Sequence, residues 1–88
     1  MRIKEEEADI LKKTLDDIIE LFGDNLIKPV TEARVFIKLH TQDGITTLDD
    51  EDNMLLANVR NFVINQKVAD DLAPYVNKLV ENLSAFIF

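Results

Sequence analysis

The one side chain in these 88 residues whose ordinary pKa lies near neutrality is His40. A histidine does chemistry in company: a hydroxyl or thiol to deprotonate, or further ligands with which to hold a metal. Cysteine is absent, which removes thiolate catalysis, thiolate metal sites and disulfides together. The nearest serine is Ser84, and helical periodicity puts it on the polar face of the last helix, without the strained elbow that exposes a nucleophile. His40 therefore reads as an ordinary histidine at a helix end or on a strand face.

The run Asp49-Asp50-Glu51-Asp52-Asn53 has the carboxylate density of a calcium loop. It lacks the glycine at the sixth position and the bidentate glutamate at the twelfth, and it follows Thr47, a capping residue. Such a run is better explained as charge placed in the first turn of a helix, where it complements the positive end of the dipole. No Glu-x-x-His pair supports a di-iron bundle, and no glycine-rich loop is present to cradle phosphate. No carboxylate lies in an apolar stretch that would raise its pKa for acid–base work. The expectation is no catalytic residue, no cofactor and no metal: the chain does not read as an enzyme.

The net charge of −7 bears on partners, and acid exceeds base in both halves of the chain. With no basic patch to neutralise phosphates, nucleic-acid binding is not expected. The same field opposes anionic membrane surfaces, and no apolar run approaches the roughly 18 residues of a transmembrane helix. The N-terminus has no signal-peptide pattern, and the lack of cysteine is compatible with a cytoplasmic location. A hydrophobic fraction of 47% with only two glycines and two prolines favours a folded helical protein over a turn-rich β-sandwich.

Four segments would have to position these residues, within one domain spanning 1–88. Residues 4–22 carry Ala8, Leu11, Leu15, Ile18, Ile19 and Phe22 in a helical stripe, with three glutamates in the first turn and Gly23 as the C-terminal cap. Residues 24–44 admit two readings. Pro29 opens a helix with Val30, Ala33, Ile37 and His40 on one face, or residues 33–40 alternate as a strand, turn at Asp43-Gly44 and return through Ile45–Leu48. In the third segment Thr47 caps a helix whose stripe is Leu48, Leu55, Leu56, Val59, Phe62 and Val63, leaving Met54 and Ile64 off it. The fourth, Val68 to Phe88, reads as one amphipathic helix with Asp70 or Asp71 as N-cap and Pro74 near its first turn.

The fold expected is all-α, a small four-helix bundle; the alternative is α+β with a hairpin over residues 33–48. In size and layout this is similar to small helical immunity proteins of bacteriocin systems and to phage regulatory proteins, a resemblance of architecture alone. The function expected is a non-enzymatic protein–protein interaction module, a small homo-oligomeric (homodimeric) regulatory or accessory protein. The alternative is an acidic inhibitor or immunity-type protein that occludes a basic or nucleic-acid-binding target. The stripe of the last helix does not fade toward the terminus, so Leu79, Leu83, Phe86, Ile87 and Phe88 are the candidate interaction residues.

Overall fold

The computed structural model describes residues 1–23, 30–32, 34–35 and 40–87. In chain order these form β1 (Arg2–Lys4), α1 (Glu5–Phe22), a helical stretch α2 (30–32 and 34–35), β2 (Thr41–Gln42), β3 (Ile45–Thr47), α3 (Asp50–Ile64) and α4 (Ala73–Ser84). The chain is thus mostly helical but carries a small antiparallel sheet in the order β1-β3-β2. This corrects the purely all-α bundle. Both readings of the ambiguous second segment hold in part, since helix occupies 30–32 and 34–35 and the hairpin follows at 41–47. The strand alternation expected over 33–40 falls largely outside the described residues.

The hairpin forms because Asp43 and Gly44 both adopt positive φ, 54° and 76°. That pair makes a two-residue turn whose twist matches the flanking strands. Thr41 then faces Thr46 and Gln42 faces Ile45, and the Thr41 and Thr46 hydroxyls lie 2.7 Å apart. Strand β1, which periodicity does not reveal at three residues, pairs Ile3 with Thr46. Its edge is extended by the Leu48 N–H donating to the Met1 carbonyl at 2.7 Å. The period of two buries Ile3 and Thr46 on the inner face and leaves Arg2 and Thr47 outside.

Helix α1 starts with the Lys4 N–H donating to Glu7 Oε1 at 3.2 Å and ends where Gly23, at φ 87°, donates its N–H to the Ile19 carbonyl. Ala8, Leu11, Leu15 and Ile18 are buried as their spacing predicts. Thr14 joins them by turning its hydroxyl onto the Ile10 carbonyl at 2.8 Å. Helix α3 is capped two residues later than Thr47. Asp49 accepts from the Asp52 N–H, and Asp52 Oδ2 accepts from the Asp49 N–H in return. This reciprocal box uses aspartate at both positions, where a hydroxyl residue and a glutamate are commoner.

Helix α4 is shorter than the stripe suggests. Pro74 has no N–H to give, which costs nothing in a first turn, and the helix opens at Ala73, after a turn in which Leu72 and Ala73 both donate to the Ala69 carbonyl. It closes at Ser84, beyond which Phe86 and Ile87 donate to carbonyls three residues back, a tighter winding. Helix α4 packs against both α1 and α3. It runs antiparallel to each: Asn53 at the start of α3 donates its amide to the Phe86 carbonyl, and Asn82 reaches Thr14 in α1. Helices α1 and α3 are therefore parallel, and the rings of Phe22 and Phe62 near their C-termini meet edge to face at 5.7 Å. Both helices start at the sheet.

Candidate functional site

The candidate interaction residues of the last helix divide sharply. Leu79, Leu83 and Phe86 are buried in the core with Leu11, Leu15, Ile18, Leu56 and Val59, Phe86 at only 5% exposure. Ile87 packs against that core, partly buried, and Phe88 lies outside the described residues. The tightened final turn brings the Phe86 ring inward, and the Asn53 amide holds its carbonyl at 3.1 Å. The end of the chain is covered by the chain itself up to Ile87.

Exposed apolar side chains stand elsewhere. Met54 is 67% and Ile64 57% exposed, two of the residues that fall off the stripe of α3. Leu72 and Tyr75 are exposed at the start of α4. Because α3 and α4 are antiparallel, Ile64, Leu72 and Tyr75 share the end of the helical layer remote from the sheet, with exposed Lys67, Asp70 and Asp71 in the connection between them. The Tyr75 phenol is pushed above its ordinary pKa, first by partial burial and then by the Asp17 carboxylate of α1.

The opposite end carries the acidic first turns of two helices. The exposed Glu5, Glu6 and Glu7 open α1, and the exposed Asp50 and Glu51 open α3. Parallel helices bring these first turns to one end of the molecule, the sheet end. Here His40 enters as well. Its carbonyl accepts the Thr47 N–H at 3.2 Å, so hairpin pairing holds it opposite Thr47, two residues before Asp49. The donor atoms of His40, Asp49 and Asp52 lie within 4.8 Å of one another. His40 and Asp49 are exposed, whereas Asp52 is 6% exposed. The Asp49 carboxyl is held below its ordinary pKa chiefly by the Asp52 N–H, with a smaller contribution from His40. An imidazole and two carboxylates at this spacing are ligand types suited to a divalent metal.

Beside this cluster, a groove of about 320 Å³ runs over the outer face of the sheet, lined by Arg2, His40, Gln42, Asp43, Ile45 and Thr47. The Ser84 hydroxyl, the other half of a hypothetical catalytic pair, is exposed on α4 and donates to the Val80 carbonyl at 2.9 Å. Sequence reading missed the His40 cluster because it treats positions 40 and 49–52 separately. The signal available was the Asp43-Gly44 turn, which folds one segment back toward the other. Among the described residues no helix is long and apolar enough to cross a membrane. In comparisons with known proteins, no family model, no curated protein and no solved structure matches the chain.

Proposed function

We propose that this protein is a non-enzymatic interaction module that pairs with a second copy of itself through the α3–α4 end, in a regulatory or accessory role. The observation that supports this reading is the exposure of Ile64, Leu72 and Tyr75 together at one end of the helical layer. The surrounding charges fit self-pairing. In a two-fold interface a contact between residue i of one copy and residue j of the other occurs twice, so a Lys67 facing Asp70 or Asp71 of the second copy would form two such pairs. An 88-residue domain buries a modest fraction of its surface alone, and a second copy would cover more. Cysteine-free composition suits a cytoplasmic setting.

Sedimentation velocity tests the proposal. The protein is expected to sediment as a dimer at tens of micromolar, and Ile64→Asp as a folded monomer with an unchanged circular-dichroism spectrum. A wild-type monomer across that range would overturn self-pairing.

A second reading rests on a separate observation, the convergence of the acidic first turns of α1 and α3 at the sheet end. That end could occlude the basic surface of a nucleic-acid-binding protein, as an acidic inhibitor does. Binding of this kind weakens with added salt, because exposed charges are screened beyond about 8 Å at physiological ionic strength. A salt-insensitive complex, or one unaffected by reversing Glu5 and Glu6 to lysine, would count against it.

A further inference from the structure

We infer that two copies of this chain pair along the solvent face of α3, each α3 laid antiparallel on its counterpart about a two-fold axis at the middle of the helix. The inference rests on the self-pairing reading above and extends it from the end of the helical layer along the whole of α3.

A helix face turned to water ordinarily carries charged and polar side chains. In this chain 31% of residues are charged, yet between Asp52 and Lys67 the one charged residue is Arg60, which is half-buried. Past the acidic first turn, the outward positions of α3 and its C-cap are Met54, Ala57, Asn58, Asn61, Ile64 and Asn65. Steps of three and four residues put them on one face. Met54 and Ile64 are the two most exposed large apolar side chains among the described residues. One stands toward each end of this uncharged face.

The occupant is a second copy because the face is its own complement. A protein of net charge −7 repels its copies over most of its surface, and least where it brings no charge to the contact. Asparagine amides both donate and accept, so they can pair with each other. The exposed charges stand at the borders of the face, acidic at its start in Asp50 and Glu51 and basic just past its end in Lys67. Neither Glu51 nor Lys67 belongs to an ion pair among the described residues. Antiparallel pairing centred at the level of Val59 brings Glu51 of one copy close to Lys67 of the other. It also sets Met54 level with Ile64 and Ala57 level with Asn61, because the members of each pair are equally far from that centre. Each contact occurs twice. Parallel pairing would instead set Glu51 against Glu51 and Lys67 against Lys67, so the border charges fix the direction. In this register the acid that Lys67 meets is Glu51 of the second copy, not Asp70 or Asp71.

The test is sedimentation velocity on the intact chain and its variants at tens of micromolar, with circular dichroism to check folding. Met54→Asp, at the half of α3 remote from Leu72 and Tyr75, is expected to weaken association by about tenfold or more with an unchanged spectrum. Glu51→Lys is expected to weaken it by roughly two- to fivefold, and Lys67→Glu added to the same chain to restore it. The chain has no cysteine, so Met54→Cys and Ile64→Cys chains can be mixed and treated with a short thiol cross-linker. The expected product joins one of each. Association lost with Ile64→Asp but kept with Met54→Asp would overturn the antiparallel α3 pairing and leave pairing through the end standing. Cross-linking of Met54→Cys mainly to itself, or no restoration by the charge swap, would do the same. A wild-type monomer would overturn both.

Discussion

The sheet end and the α3–α4 end of this protein are built from opposite materials. At the sheet end, short strands and two helix N-termini gather carboxylates, a histidine and hydrogen bonds between segments far apart in the chain. At the other end, helix C-termini and a connection gather aromatic and aliphatic side chains, some packed, as Phe22 and Phe62 are, and some exposed, as Ile64 and Leu72 are. The parallel course of α1 and α3 is what separates the two characters. Acidic first turns are stabilising at helix N-termini, so two parallel helices place their acid together at the sheet end, while the far end mixes exposed apolar side chains with Lys67, Asp70 and Asp71.

The contrast can be broken most forcefully from the core that joins the ends. Leu83→Ala and Leu15→Ala remove fully buried side chains and are expected to cost about 2–5 kcal/mol each in urea unfolding. Phe86→Ala is expected to fall in the upper part of that range, about 3–5 kcal/mol, because its ring belongs to the core. If Phe86→Ala instead leaves stability intact and abolishes self-association, the tip of α4 is a docking surface after all. At the apolar end, Ile64→Asp is expected to change monomer stability by less than about 0.5 kcal/mol, measured at low protein concentration, while it removes the dimer.

At the sheet end, Gly44→Ala forces a side chain onto φ 76° in the hairpin turn, where open space surrounds the position. The penalty is therefore conformational, about 1 kcal/mol, read by urea unfolding together with loss of the β2–β3 amide protection. Asp49 sharpens the same region through pH. Its folded pKa is depressed, so its contribution is complete above the ordinary aspartate value and is lost as pH falls through the folded one. Asp49→Asn keeps a capping acceptor but cannot titrate, so its melting temperature should fall less steeply on acidification than that of the wild type. The smallest effect is expected from Arg34→Ala. It breaks an ion pair with Asp16 at 2.9 Å whose side chains are both about half exposed, a pairing worth roughly 0–1 kcal/mol.

Much of the helical layer was legible residue by residue. The stripe of α1, its Gly23 cap, the exposure of Met54 and Ile64 and the end of α3 near Asn65 all follow from a 3.6-residue period and end chemistry. The misreadings have local causes. Strand β1 is three residues long, too short for a period to register. The cap of α3 fell at Asp49 rather than Thr47 because Thr47 is occupied as the last residue of β3. A stripe reports that a face is apolar, not what covers it. For Leu79, Leu83 and Phe86 the cover is α1 and α3.

By itself, then, the sequence determined that α1 and α3 are helical and which of their faces are apolar, where acid must sit relative to each helix dipole and where the Asp43-Gly44 turn reverses the chain. These are local properties, fixed by backbone dihedrals and by side-chain spacing within one element. Only the tertiary structure decided that α1 and α3 run parallel, that the last turn folds inward under Asn53, and that His40 stands beside Asp49 and Asp52. Those outcomes depend on which apolar faces pack together and on strand register, energies shared between segments up to tens of residues apart that no periodicity within one segment can encode.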